Sequence, residues 1–282
     1  MSASRPCPSS ASHPVKTVIA NWKLHGSIAQ VEGWIDSLQS LEVIRSGRIQ
    51  LILCPPAIWL DRACKETRGR PIVLGAQNVA AYDRGPYTGE ISAAMAFEAG
   101  ARYTLVGHSE RRRLFGETEQ MVREKIGQAV RAGLVPVVCI GETAEERRAG
   151  ETETVLTRQL EAIRALCEES GPDPWVAYEP VWSIGTGIPA APEELVEIVT
   201  FIRAQMASAN ATMRNRLRLL YGGSVSAGNA ALLGCLQGID GLLVGGASVE
   251  ADSMAALCRA VGGEESPDGY EVGADAGSSL RG

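Results

Sequence analysis

The sequence predicts an α/β chain closing into a (β/α)8 barrel, eight parallel strands ringed by outer helices. Three observations predict it. Short Val-, Ile- and Leu-rich runs recur eight times, helical patterns separate them, and 282 residues suit one barrel of ~250 residues with tails.

The strand candidates are residues 15–20, 49–54, 72–76, 102–106, 135–140, 175–178, 217–221 and 239–244. Their near-continuous apolar character indicates burial on both faces, as in a parallel sheet. Between them, residues 27–41 carry Ile28, Val31, Ile35 and Leu38 at helical spacing, with Ser27 placed to cap. Residues 118–132 repeat Met121, Val122, Ile126, Ala129 and Val130. Residues 151–167 repeat Val155, Leu156, Leu160, Ile163 and Leu166, and residues 193–206 repeat Leu195, Ile198, Val199 and Ile202. Strand–helix alternation of this kind favours a closed barrel over an open doubly wound sheet. The absence of a G-x-G-x-x-G after the first strand takes further weight from a dinucleotide fold.

The folded catalytic domain is expected over residues 15–261. Residues 1–14, rich in Ser, Ala and Pro with no apolar segment, read as a disordered leader. Residues 262–282, rich in Gly, Ser and acids, read as a disordered tail. The net charge of −6 argues against nucleic-acid or anionic-membrane partners, and no apolar run is long enough to span a bilayer. It leaves anionic small molecules open, because backbone N–H groups and one Lys can hold a phosphate in an acidic protein. The seven cysteines cannot all pair internally and show no metal-ligand spacing. They read as reduced thiols of a cytoplasmic protein, with no metal site.

In a barrel of this kind the chemistry gathers where strands end. The residues there are Asn21 and Lys23, Gln77 and Asn78, Gly107-His108-Ser109-Glu110, Gly141-Glu142, Glu179, Gly222-Gly223-Ser224 and Gly245-Gly246. Bare glycine turns after the last two strands let backbone N–H groups approach an anion. Glu179 at the mouth of an apolar strand loses solvation, which makes a carboxylate a better base. Residues 181–188 form an apolar loop with two glycines, suited to a lid that expels water. His108 precedes a helical turn, where a neutral imidazole N–H can donate to a developing oxyanion. Singly, each has a bland alternative: a tight turn, a solvated loop acid, a structural His, a surface Lys.

Together the motifs resemble the triosephosphate isomerase family. The residues that carry the likeness are Asn21-Trp22-Lys23, Ala76-Gln77-Asn78, Tyr87-Thr88-Gly89-Glu90 and 107–112, GHSERR. They continue with Cys139-Ile140-Gly141-Glu142, Tyr178-Glu179-Pro180-Val181-Trp182 with Gly185-Thr186-Gly187, Tyr221-Gly222-Gly223-Ser224 and Val244-Gly245-Gly246-Ala247-Ser248. The resemblance implies a TIM barrel that interconverts dihydroxyacetone phosphate and D-glyceraldehyde 3-phosphate, a reaction of glycolysis and gluconeogenesis, without metal or organic cofactor. It implies Glu179 as the base, His108 as the neutral electrophile, Lys23 as the cation, Asn21 as a further donor and Glu110 as a supporting or proton-relay carboxylate. Gly185, Ser224, Gly245 and Gly246 would hold phosphate. Pro180, Val181, Trp182 and Gly187 would belong to the lid. Tyr221 and Ser224 would bind it closed, and Glu142 would hold the Trp182 indole when open. Thr88, Glu90 and Arg111 would belong to an interface loop that enters a partner subunit, implying a homodimer, with Arg111 expected to pair with Glu90.

Two departures stand out. Leu24-His25 replaces the Met-Asn of many members, bearing on the interface loop. Ile188-Pro189-Ala190 replaces a common Lys-Thr-Ala hinge, and Pro189 restrains both itself and Ile188, so altered lid kinetics are expected. Alternative readings are an isomerase of a four-carbon ketose phosphate and a non-catalytic phosphate-binding barrel.

Overall fold

In the computed structural model, residues 15–167, 173–184, 190–209 and 216–264 are described, without the side chains of 165–167 and 209. Eight parallel strands close into a barrel in chain order, the first pairing with the last. They are β1 Lys16–Asn21, β2 Ile49–Cys54, β3 Ile72–Ala76, β4 Tyr103–Val106, β5 Val135–Ile140, β6 Trp175–Tyr178, β7 Arg218–Tyr221 and β8 Gly241–Val244. β2, β3, β5 and β6 match their expected runs, β4, β7 and β8 are shorter by one or two residues at the start, and β1 is shifted by one residue to include Asn21.

The helices that matter for the site begin with α1 Ile28–Leu38, where Ser27 caps as expected by accepting the Gln30 N–H at 3.2 Å. Short helices follow: α2 Glu42–Arg45, α3 Leu60–Glu66, α4 Ala93–Glu98 and α5 Ser109–Phe115. Then come α6 Glu119–Arg131, α7 Ala144–Arg148, α8 Thr152–Cys167, α9 Pro192–Ala209, α10 Ala227–Cys235 and α11 Ala251–Val261. The helix expected over 27–41 breaks instead at 39–41, because Leu41 turns extended and starts α2.

Two cores result from the period-two alternation of the strands. Ile19, Ile52, Leu105, Val137, Cys139, Ala177, Leu220 and Leu243 fill the barrel. Their neighbours Val18, Ala20, Leu51, Leu53, Val138 and Leu219 face outward and pack under the helices. The same alternation sets the site. Counting by twos from Ile19 reaches Asn21, and from Trp175 and Ala177 reaches Glu179, so both polar residues point inward at the barrel mouth.

Candidate active site

Glu179 is buried, with 2% of it exposed, beneath the cavity at the C-terminal end of the barrel. Its Oε2 accepts the Ser109 backbone N–H at 3.0 Å, and its Oε1 lies 3.2 Å from His108 Nε2. The donor Ser109 N–H opens α5, where N–H groups lack partners within the helix. Two bare backbones make room for this residue. A side chain at Gly141 would stand 1.7 Å from the Glu179 carbonyl oxygen, and one at Gly222 would stand 2.9 Å from Glu179 Cγ. Neither approach is possible with a Cβ in place.

His108 is itself the cap of α5. Its Nδ1 accepts the Glu110 N–H at 3.2 Å, which assigns the ring proton to Nε2, the nitrogen that faces Glu179. Nε2–H is therefore a donor aimed into the cavity, in the orientation that stabilisation of an oxyanion requires.

Lys23 occupies a left-handed conformation, φ 51°, the one positive φ at a non-glycine among the described residues. Neighbours hold it there. Its N–H donates to Asn21 Oδ1 at 3.1 Å, and Gln77 Nε2 donates to the carbonyls of Lys23 at 2.8 Å and Cys54 at 2.9 Å. The ammonium meets Glu110 Oε1 at 2.6 Å. Burial alone would raise the Glu110 carboxyl. The Lys23 hydrogen bond and charge, with Arg113, outweigh it and hold the group below the ordinary glutamate value.

The cavity has a volume of about 300 Å³ and brings together Asn21, Lys23, His108, Glu179, Ser224 and the turn Gly245-Gly246. That turn runs into a short 3-10 helix, Gly246–Ser248, pinned from behind by the Trp34 indole donating to the Ser248 carbonyl at 2.9 Å. The leading N–H groups of such a turn have no partner within it and suit a phosphate. The site thus brings a buried carboxylate, an imidazole N–H, an ammonium and a glycine turn to one cavity.

A family model for triosephosphate isomerase matches residues 16–261. The chain belongs to the triosephosphate isomerase family. Triosephosphate isomerase from Azoarcus sp. is 46% identical over 246 residues, covering 87% of this chain and 98% of that protein. The protein of the same name from Dechloromonas aromatica is 44% identical over 250 residues, with the same coverage. A crystal structure of triosephosphate isomerase from Bartonella henselae superposes with a TM-score of 0.75 at 37% identity, covering 87% of this chain and 98% of that one. The chain is accordingly an aldose–ketose isomerase that interconverts dihydroxyacetone phosphate and D-glyceraldehyde 3-phosphate.

The residues expected to form a lid are described only in part. Gly185, Gly187, Ile188 and Pro189 lie outside the described residues, and with them the expected hinge effect of Pro189. Pro180 leads into a 3-10 turn, Val181–Ser183. The Trp182 indole donates to Glu142 Oε1 at 2.8 Å, and the Tyr178 hydroxyl donates to the same carboxylate at 3.1 Å. Burial pushes the Glu142 carboxyl up, against the pull of these donors and of Arg147. On the other side, Ser224 Oγ donates to the Ser183 carbonyl at 2.7 Å, and Tyr221 Oη accepts the Ala190 N–H at 3.4 Å.

At the loop expected to enter a partner subunit, Arg111 takes a different partner from the one expected. The Arg111 guanidinium bonds to Glu117 and packs 4.7 Å over the Phe115 ring, whereas Glu90 lies across a neighbouring cavity. Glu117 also bonds the buried Lys125 ammonium, which reaches Asn78 Oδ1 at 2.8 Å. Neither Glu117 nor Lys125 was among the sequence candidates. The available signal was a Lys on the apolar stripe Val122, Ile126, Ala129 of α6. Thr88 and Glu90 are exposed.

Proposed function

We propose that Glu179 carries the proton between C1 and C2 of the triose phosphate, with His108, Lys23 and Asn21 stabilising the enediolate between the two transfers. One observation carries this reading: a carboxylate kept from bulk water lies 3.2 Å from an imidazole donor in the cavity that also holds the lysine. Substrate would part the Glu179 carboxylate from the imidazole and lie between them, its phosphate on Gly245 and Gly246, with Gly185 and Ser224 completing the cradle. Glu179 takes a proton from C1 of dihydroxyacetone phosphate, leaving an enediolate. His108 Nε2–H donates to its oxygens and exchanges the hydroxyl proton between them. Glu179 then returns its proton to C2, so that no net charge moves. Glu110 fixes the Lys23 ammonium and the His108 ring rather than touching the reacting carbons.

The lid reading follows from the chemistry. An enediolate beside a phosphate ester can expel phosphate, and exclusion of water suppresses that loss. Trp182 held by Glu142 suits a lid withdrawn from the site, while Tyr221 and Ser224, expected to bind the lid when closed, bond its flanks Ala190 and Ser183 in this same arrangement.

The active form we propose is a homodimer in the cytoplasm. Leu24 is 94% exposed, Phe115 65% and Leu114 63%, and all three border a second cavity that shares Asn21, Lys23 and His108 with the first. An apolar rim beside a catalytic lysine suits coverage by the Thr88 loop of a second copy. Burial pushes the thiols of Cys54 and Cys258 up to about 12, as fits inert cysteines of a reducing compartment. The test of the assigned activity is kinetic. Turnover should be far faster with dihydroxyacetone phosphate than with a four-carbon ketose 1-phosphate, and the reverse ranking would refute the triose assignment.

A further inference from the structure

We propose that Arg147 and Glu194 are positioning residues for the isomerisation, forming a clasp that sets how firmly Trp182 is held away from the closed arrangement. The proposal rests on the lid reading above. Arg147 lies on α7, whose start is fixed by a capping box in which Thr143 and Glu146 exchange hydrogen bonds. Its guanidinium centre sits 4.3 Å over the Trp182 ring. Its Nη2 donates to Glu194 Oε1 at 2.7 Å, and its Nη1 lies 4.0 Å from Glu142 Oε1. One planar fork therefore stacks on an indole while meeting one carboxylate directly and facing a second, which a lysine cannot reproduce.

These partners sit on opposite sides of the same stretch of chain. Trp182 is three residues past the base Glu179, and the Val181 N–H donates to the Glu142 carbonyl at 3.1 Å. Glu194 lies in the first turn of α9, four residues past Ala190, the residue bound by Tyr221. The guanidinium thus ties the exit of β6 to the start of α9. Arg147 and Glu194 do not border the catalytic cavity, so their influence on the reaction passes through Trp182.

The clasp acts on a population. When Trp182 leaves Glu142, it also leaves the Arg147 face. Glu194 holds that face flat against the ring and so weights the ligand-free arrangement. A ligand that needs the other arrangement binds more weakly by the same factor. The Arg147 and Glu194 side chains are 34% and 45% exposed, so salt screens their attraction. Pairs of this exposure shift an equilibrium by roughly 1.5- to 5-fold. Loss of the Glu194 charge is therefore expected to tighten, not weaken, the binding of a closed-state ligand.

The test uses a two-carbon phosphocarboxylate, whose planar carboxylate imitates the enediolate, as competitive inhibitor of wild type, Glu194→Gln, Glu194→Asp and Arg147→Lys. Inhibition constants, kcat, KM and melting temperature are measured at ionic strengths of ~10 and ~150 mM. Trp182 emission is followed on titration with the inhibitor, with Trp182→Phe to assign the signal. Glu194→Gln should lower the inhibition constant about 1.5- to 5-fold at low salt, with the gap closing at high salt. Glu194→Asp should fall between, and Arg147→Lys should tighten binding as well. If wild-type Trp182 emission responds to inhibitor while the Gln and Lys variants keep wild-type inhibition constants, the clasp is refuted and the lid reading stands. A melting shift with unchanged inhibition constants would show a merely structural pair and overturns the proposal too. If Trp182 emission does not respond in the wild type, the lid reading falls and takes the clasp with it.

Discussion

Shortening the base by one methylene is the sharpest test of the catalytic geometry. Glu179→Asp withdraws the carboxylate by about one C–C bond, ~1.5 Å. In the structure Oε2 lies 3.0 Å from the Ser109 N–H and Oε1 3.2 Å from His108 Nε2. Both separations would grow toward ~4.5 Å, beyond hydrogen-bond range. The backbone cannot follow the shortened side chain, since the Glu179 N–H donates to the Ile140 carbonyl at 2.7 Å and Gly141 packs on its carbonyl. A misplacement of about 1 Å costs a reaction on the order of 10²-fold, so kcat should fall between about 10² and 10³. That corresponds to about 3–4 kcal/mol of lost transition-state stabilisation. Phosphate contacts are untouched, so KM should move by less than about threefold. The assay couples conversion of dihydroxyacetone phosphate to oxidation of the glyceraldehyde 3-phosphate formed. A variant with wild-type kcat, or one whose whole defect lies in KM, would remove Glu179 from the proton transfer.

Gly222→Ala should displace Glu179, because the new Cβ would meet Cγ at 2.9 Å. A shift of about half an ångström should cost roughly tenfold in kcat with little change in melting temperature, and unchanged turnover would show that the carboxylate has slack. Glu110→Gln tests the Lys23 contact through pH. The folded carboxyl is held below its ordinary value of about 4.5, so its stabilisation is present above that pH and fades as pH falls through the lower folded value. Denaturant melts should therefore show the variant less stable near neutrality and converging on wild type in acid. A gap that widened in acid would contradict the assigned direction. Replacing both Leu114 and Phe115 by Asp places charge on the apolar rim, and sedimentation should then show a monomer where the wild type sediments as a dimer. A wild type that already sediments as a monomer would sink the dimer.

The barrel was legible because its strands are buried on both faces, which writes eight apolar runs into the chain. The rim residues were legible because they sit at fixed offsets past those runs. The short helices were harder to read. α3, α4, α7 and α10 span nine residues or fewer, too short for a 3.6-residue period to stand out. Partnerships across the chain left still less trace. Nothing in the run Glu145-Glu146-Arg147-Arg148 distinguishes the arginine that stacks on Trp182 from its neighbour, which pairs with Glu145. The pairing of Arg111 with Glu90 rested on the family resemblance alone. The actual partner of Arg111, Glu117, is explained by a buried lysine, since the Lys125 ammonium needs a counter-charge and brings that carboxylate inward. Burial pushes this ammonium down, and the Glu117 contact opposes that push.

Burial of the Glu179 carboxylate carries a cost. A carboxylate with 2% exposure is unfavourable unless donors replace the water it has lost. The barrel mouth supplies them from one short piece of chain. His108 caps α5, and that single turn of backbone aims both the Ser109 N–H and the imidazole Nε2 at the carboxylate. The Nδ1 bond to the Glu110 N–H settles which imidazole nitrogen carries the proton, and the Glu110 side chain then places the Lys23 ammonium. Residues 108–110 thus link the Glu179 carboxylate, the imidazole and the Lys23 ammonium. A helical start at this point holds together side chains from three different strand ends, the three that the proposed mechanism uses on one substrate. A substitution that unwound the first turn of α5 should accordingly damage all three roles together, even with Glu179, His108 and Lys23 intact.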